Sequence, residues 1–357
     1  MRMRGALTVG LAALGVVILL VRRARRQRAF ARQPAAEKTC VLNTVAALHL
    51  YPVKSLGAGS RAASATIDAY GLAGDRRFMV YRPGPHPRFV TQRQRAPMAL
   101  IEVSAECSVD DIVLRFRSRI EPRWRHLWGL SPFAPPAELV VRVLKSNAKQ
   151  MPRIQIGIWD DSVEALDAGE EAARWLSAQL ADSVRLCWTG PDFKRPVDAE
   201  FTPECALRAE GALPQVSFGD GFPILLASTA SLRRLNAAII ARGGQAVPMD
   251  RFRPNIIVHL EEPFDEDRWK RVRIGATEFA VVKSCSRCKI PGINQLTGLA
   301  EPDVPQILRN FRLKKEDVYF GQNLIPLGIV GTIKQGDFVE VLERGEPTFN
   351  EEAATLE

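Results

Sequence analysis

The chain has 357 residues, 46% hydrophobic and 25% charged, which is the balance of a globular protein with room for two domains. Its net charge of +9 sits mostly at one end: Arg2, Arg4, Arg22, Arg23, Arg25, Arg26, Arg28 and Arg32 all precede the first acidic residue, Glu37, and those eight arginines leave about +1 for the rest. A near-neutral body argues against a nucleic-acid surface. The six scattered cysteines do not make a secreted disulfide framework, and the four histidines form no H-x-x-x-H or H-E-x-x-H pairing, which speaks against an all-histidine zinc site.

In chain order, Gly5–Val21 comes first. It carries no charge and is about long enough to cross a bilayer, at the short end of the usual range. Arginines are denser on its C-terminal side, which places the body in the cytosol. The run Val21-Arg22-Arg23-Ala24-Arg25-Arg26 stands where a cleavage site would need small residues, so a retained anchor is favoured over a cleaved signal peptide. A short span with a basic collar suits a thin membrane such as the mitochondrial outer membrane. Gln33–Thr39 reads as a polar linker.

The body opens with strand signals. Val45–Pro52 reads as a strand stopped by proline, followed by a glycine-containing turn, Lys54–Ser60. Short apolar runs recur at Ala65–Ile67, Arg77–Tyr81 and Leu100–Val103; Ile112, Leu114 and Phe116 alternate, and Glu138–Leu144 is a further strand. Gly169–Leu180 predicts a helix from its stripe Ala172, Leu176, Leu180 and its acidic start. Ser228–Ala241 predicts a second, with Ser228 as N-cap. Strands return at Asn255–Leu260, Phe279–Val282, Val330–Asp337 and Phe338–Leu342. Gly190–Pro203, rich in proline and charge, is the expected domain boundary.

Two features carry chemistry. Cys285-Ser286-Arg287-Cys288 is a lone C-x-x-C at the end of an apolar run. Zinc would need a second pair, and a dithiol motif would open a helix, which Pro291 and Gly292 discourage. On these grounds Cys285 reads as a packed thiol, whereas Cys288 beside Arg287 is a candidate stabilised thiolate for a soft metal. The second feature is arginine at loop–strand junctions: Arg76, Arg93 and Arg253, with Lys54-Ser55 in a turn able to cradle an anion. Taken singly, each of these arginines reads by default as a surface salt bridge.

An ordered set of motifs runs through the body: Tyr51-Pro52-Val53-Lys54-Ser55, Gly74-Asp75-Arg76-Arg77-Phe78, Thr91-Gln92-Arg93-Gln94, Asp220-Gly221-Phe222-Pro223, Arg251-Phe252-Arg253-Pro254-Asn255, Cys285-Ser286-Arg287-Cys288, Thr297-Gly298 and Phe320-Gly321-Gln322-Asn323. In this order they resemble the MOSC superfamily and, within it, the mitochondrial amidoxime-reducing components. The resemblance implies an α+β fold: a β-barrel-containing MOSC domain plus a strand-rich MOSC N-terminal domain, preceded by one N-terminal transmembrane helix. The expected divisions are an anchor, collar and linker at 1–40, the N-terminal domain at 41–195, the MOSC domain at 196–345 and a tail at 346–357.

The resemblance further implies a molybdenum-pyranopterin (molybdopterin) cofactor with Cys288 as molybdenum ligand. Lys54, Ser55, Arg76, Asp220, Gly221, Arg253, Ser286, Arg287 and Asn323 match cofactor-contacting positions. The implied reaction is reduction of N-hydroxylated compounds, amidoximes and hydroxylamines, with electrons from cytochrome b5 and NADH-cytochrome b5 reductase. A cofactor carrier or sulfur-handling protein without turnover is the alternative, and a membrane-tethered thiol oxidoreductase a third. Departures from the family pattern are Asn294 and Gln295 before Thr297-Gly298, Asn323 for a tyrosine of animal members (asparagine being common elsewhere in the superfamily), Phe222 at an often small position, and Arg117–Pro136, which reads as an insertion, a solvated loop in preference to a partner-docking element.

Overall fold

The computed structural model of the protein describes residues 43–57, 59–131 and 135–349. The expected anchor, collar and linker at 1–40 lie outside the described residues, as does all of the expected tail beyond residue 349. Among the described residues no helix is long and apolar enough to cross a membrane.

The first half contains β1 (Thr44–Leu50), β2 (Val53–Lys54), β3 (Ser60–Ala62), β4 (Ser64–Asp68), β5 (Gly71–Leu72), β6 (Phe78–Arg82), β7 (Arg88–Phe89), β8 (Ile101–Cys107), β9 (Asp111–Ser118), β10 (Glu138–Leu144), β11 (Arg153–Ile158), β12 (Asp161–Asp167), helix α1 (Glu170–Leu180) and β13 (Arg185–Trp188). The second contains β14 (Ile224–Ser228), α2 (Thr229–Ile240), β15 (Ile256–His259), β16 (Trp269–Ile274), β17 (Thr277–Ser286), α3 (Asp303–Arg312), β18 (Leu313–Lys314), β19 (Asp317–Pro326), β20 (Gly331–Lys334) and β21 (Val339–Arg344).

Two closed sheets dominate. In the first half β13, β12, β11, β7 and β6 pair in sequence, and β13 also pairs with β6, so five strands close on themselves, with β2 attached to β6. Alternation sorts the side chains of β6: Met79 and Tyr81 face the barrel interior with Ile156 and Val163. Phe78 and Val80 face outward onto a core shared with α1 and the β8–β9–β10 sheet. The other is a nine-stranded sheet of second-half strands joined by β1 and β3 of the first half; it runs β21-β16-β17-β19-β14-β15-β1-β3, with β18 on β19. It curls until β1 meets β21: Val45 N–H donates to Asp337 O at 2.9 Å and Val339 N–H to Asn43 O at 2.6 Å. Leu226, Ile256 and Val258 fill this barrel, while their neighbours Ala227 and Ile257 face α2 and α3.

Ser228 caps α2 as expected, its side chain accepting from Ser231 N–H at 3.0 Å. Helix α3 is not signalled by any pattern used above. Its Pro305 falls in the first turn, where a missing N–H costs nothing, and Val304, Ile307 and Leu308 supply its buried face.

The structure corrects the reading of Arg117–Pro136 as a solvated loop. Arg125 is fully buried, and its guanidinium donates to Ser131 O at 2.6 Å, Ala178 O at 2.8 Å and Gln179 Oε1 at 3.3 Å. Phe116, Ile120 and Leu130 join the same core as α1. The segment's arginine content looks like surface in sequence, but one of those arginines is the bolt that holds the segment to the C-terminal end of α1.

Candidate functional site

All ten residues singled out from the sequence line one cleft: Lys54, Ser55, Arg76, Asp220, Gly221, Arg253, Ser286, Arg287, Cys288 and Asn323. They come from turns at strand ends. Lys54 closes β2, which runs parallel to β6, so the turn before β6 delivers Arg76 beside it. That turn is fixed by Asp75, whose Oδ1 accepts from Tyr51 N–H at 2.8 Å, and by Arg76 N–H donating to Tyr51 O at 2.7 Å. β19 lies between β14 and β17 and carries Asn323 opposite Leu225 and Lys283. Ser286 ends β17, and Arg287 and Cys288 follow it.

Three of these residues hold backbone conformations that L-residues rarely adopt: Ser55 has φ 62°, Arg76 φ 48° and Arg253 φ 55°. Non-glycine residues in the left-handed region cost on the order of 1 kcal/mol or more each, and persist where surrounding contacts over-determine them. Arg76 is held by Asp75, by Asn255 Oδ1 at 3.1 Å and by Arg253 O at 3.1 Å. Tyr51 supplies a ring for both guanidinium groups, 4.8 Å from Arg76 and 4.4 Å from Arg253.

The cleft is electropositive. Lys54 is buried and its Nζ bonds Asp220 Oδ1 at 2.5 Å, while the Asp220 carboxylate stands 78% exposed at the mouth, where water screens the pair. Burial pulls Lys54 down to about 8 against the opposing pull of Asp220. Burial likewise lowers Arg253 to about 10, so it stays a cation at neutral pH. The crowding of Asp220 by surrounding cleft atoms would raise it even though its carboxylate reaches solvent at the mouth, but Lys54, Arg76 and Arg93 outweigh that and hold the carboxyl well below its usual range.

Two donors are left without partners. Arg253 gives Nη1 to Leu56 O at 2.6 Å, but its Nη2 is buried and unbonded. Arg287 gives Nη2 to Phe252 O at 2.9 Å and Nη1 to Cys285 Sγ at 3.0 Å, but its Nε is buried and unbonded. An orphaned guanidinium N–H in a concave surface is what an absent acceptor leaves behind.

The cysteine pair departs from expectation. The sequence suggests Arg287 as support for a Cys288 thiolate; instead its guanidinium turns back to Cys285 Sγ, with its other nitrogen on Phe252 O. Cys285 is not a packed core thiol either. It is half-buried on the cleft wall, with its pKa raised by burial against the pull of Arg287. Cys288 presents an exposed thiol to the same cleft. Among the described residues no group of three or more His, Cys, Asp or Glu side chains is placed to hold a metal ion.

The cleft wall also holds residues that the family motifs do not mark as cofactor contacts: Thr91, Arg93, Trp159, Phe222, Phe252, Asn255 and Cys285. Asn255 has a signal, since it follows the Arg253-Pro254 turn; its amide accepts from Arg76 and Leu225 and donates to His49 O, tying the Arg76 turn to β14 and β1. Trp159 has none. It belongs to no motif, and it reaches the cleft only through the hairpin that joins β11 to β12.

A closed barrel with strained, cation-bearing turns around a thiol-lined cleft makes a binding scaffold assembled from two β-rich halves. The MOSC N-terminal beta barrel domain matches residues 42–183 and the MOSC domain residues 214–340. The chain belongs to the MOSC-domain family. It is 29% identical to mitochondrial amidoxime-reducing component 1 of Mus musculus, covering 95% of this chain and 92% of that protein. It is 28% identical to mitochondrial amidoxime reducing component 2 of Homo sapiens, covering 92% of each. It is also 31% identical to the molybdenum cofactor sulfurase of Drosophila grimshawi, over 72% of this chain but only 29% of that longer protein.

Proposed function

We propose that the protein is a molybdenum-cofactor-dependent reductase of N-hydroxylated compounds. The observation that carries this reading is the meeting of one exposed thiol, Cys288, with the unpartnered Nη2 of Arg253 and Nε of Arg287 in a single cleft. A pyranopterin carrying a phosphate offers acceptors for those donors and for Lys54 and Ser55, and a single thiolate is what its metal would take from the protein. The donor set therefore fits the group. When bound, the cofactor supplies a two-electron centre able to take oxygen from N–OH.

The chain's own residues do the remaining work. Cys288 would hold the metal, with Ser286 beside it; Arg76, Arg253 and Arg287 would orient the cofactor's anionic end, with Asp220, Gly221 and Asn323 along its length. The balance is R–NHOH plus two electrons and two protons giving R–NH2 and water. Small N-hydroxylated substrates suit a cleft open to solvent. The electrons fit delivery by cytochrome b5 and its NADH-dependent reductase, and an anchor at 1–40 would hold the protein on the mitochondrial outer membrane facing the cytosol, raising partner concentration. The domain division at 195/196 belongs to the same reading.

Molybdenum and pterin content of the purified full-length protein, with benzamidoxime reduction in the presence of cytochrome b5 and its reductase, tests the reading. Stoichiometric metal with turnover is expected. Bound metal with no reduction of any N-hydroxylated compound would favour the carrier that the sulfurase relatives suggest.

A further inference from the structure

Beyond the cations, the cleft wall carries aromatic rings. Trp159 is 37% exposed and lines the cleft from the β11–β12 hairpin; Phe222 lines it from the turn before β14. Both rings are braced from behind. The Arg93 guanidinium lies 4.4 Å from the Trp159 ring, the Phe89 ring meets it edge-on at 5.2 Å, and Arg88 donates to Trp159 O at 2.9 Å. Phe222 meets Phe201 at 6.1 Å, and Lys283 sits 3.7 Å over Phe201.

The position of Trp159 is unfavourable on local grounds. Ile158 pairs with Asp161, so Trp159 and Asp160 form a two-residue hairpin loop, and Trp159 has φ 53°. The first residue of such a loop with positive φ is a place where glycine is strongly preferred. A tryptophan there leaves a strained backbone and an indole that packs on Phe89 with one edge yet stands 37% exposed at the cleft. Strain of this kind at the edge of a cleft points to what the side chain does there.

We infer that Trp159 and Phe222 form an aromatic subsite that selects N-hydroxylated substrates bearing a planar apolar group, with Trp159 as its principal ring. This assignment rests on the reductase reading and deepens it by naming the substrate class. Offset or edge-on contact between a planar group and the indole gives up to about tenfold in affinity.

The experiment compares benzamidoxime with acetamidoxime, which carries the same reacting group on a methyl. With no electron donor present, each is titrated against the cofactor-loaded full-length protein, so binding is read without turnover. The wild type is expected to bind benzamidoxime about tenfold more tightly. Trp159→Gly should shift the melting temperature little, relief of the loop strain offsetting the lost contacts with Phe89 and Arg93, and should bring the two affinities within about twofold; Trp159→Phe should retain most of the difference. Equal affinities in the wild type, or an undiminished ratio in Trp159→Gly, overturn the subsite. Adding cytochrome b5 and its reductase then separates the two ideas. A wild type that shows the binding ratio but reduces neither compound keeps the subsite and loses the reductase; one that reduces both with equal affinity keeps the reductase and loses the subsite.

Discussion

The two faces of the β17–β19 ladder carry buried polar groups of opposite character. On one face Asp267 accepts from Arg312 Nη2 at 2.6 Å and from Gln322 Nε2 at 2.7 Å, and Gln322 Oε1 accepts from Ser284 Oγ at 3.2 Å. Charge is matched and the named donors are used. Cys285 and Asn323, the next residues along each strand, belong to the cleft instead. There Lys54, Arg76, Arg93, Arg253 and Arg287 face the single carboxylate of Asp220, and two guanidinium nitrogens remain orphaned. The first face is finished by folding; the second is finished only by something that brings acceptors. Buried guanidinium N–H groups are costly without partners, so a fold that leaves two of them orphaned in an electropositive concavity leaves them for a ligand.

The largest effect is expected at the open face. Cys288→Ala should remove molybdenum and benzamidoxime reduction together, leaving the melting curve of the metal-free protein unchanged; metal retained at wild-type stoichiometry would break the assignment. Cys285→Ser should leave metal bound and lower turnover only severalfold, through the loosened Arg287.

The closed face should respond in stability alone. Arg312→Leu removes the guanidinium that bonds both Asp267 and Tyr319 O, leaving a buried carboxylate uncompensated. A loss of about 3–5 kcal/mol in denaturant unfolding is expected, with molybdenum per folded molecule unaltered. Loss of metal binding at unchanged stability would mean that the two faces are not separate.

Arg253→Met sharpens the contrast from the other side. The substitution gives up the bonds from Nη1 to Leu56 O and Gly57 O and the contact with the Tyr51 ring, but also relieves the burial of a cation with an orphaned nitrogen. Stability should move by no more than about 1 kcal/mol, while cofactor occupancy falls by about tenfold or more, as expected for loss of charge-assisted hydrogen bonds. Metal and pterin assays on the folded protein check this.

How far the sequence shows these faces depends on range. The strand Glu138–Leu144 and the Ser228 cap are readable because they rest on local periodicity and one hydrogen bond within three residues. Cys288 and Arg253 are readable as members of motifs. What stays hidden is orientation and long-range partnership: Arg287 turning to Cys285 instead of Cys288, Lys54 meeting Asp220 from 166 positions away, and Arg125 buried on α1. No periodicity reports which side a residue takes once a strand has ended, and an arginine in a polar run looks the same whether it is solvated or bolted to a helix. Trp159 is hidden for a related reason, since its loop position is defined by the pairing of β11 with β12 and not by its own residue type.

The smallest effect concerns a group that belongs to neither face. Glu266 is fully buried beside Asp267; Ser231 Oγ donates to its Oε1 at 2.6 Å, while Oε2 has no partner. Burial raises its pKa from 4.5 to about 7, with Asp267 adding to the rise and Ser231 opposing it. Because the folded value lies above the ordinary one, folding favours the protonated acid. That contribution is complete below about pH 4.5 and is lost as the pH climbs through about 7. The wild type should therefore lose on the order of 2–3 kcal/mol between pH 5 and pH 8 from this residue. Glu266→Gln keeps an acceptor for Ser231 and cannot ionise, so its unfolding free energy should be flatter over that interval. Parallel pH profiles for the two proteins would place the titration elsewhere, and Asp267, raised by the same burial, would then be the group to replace.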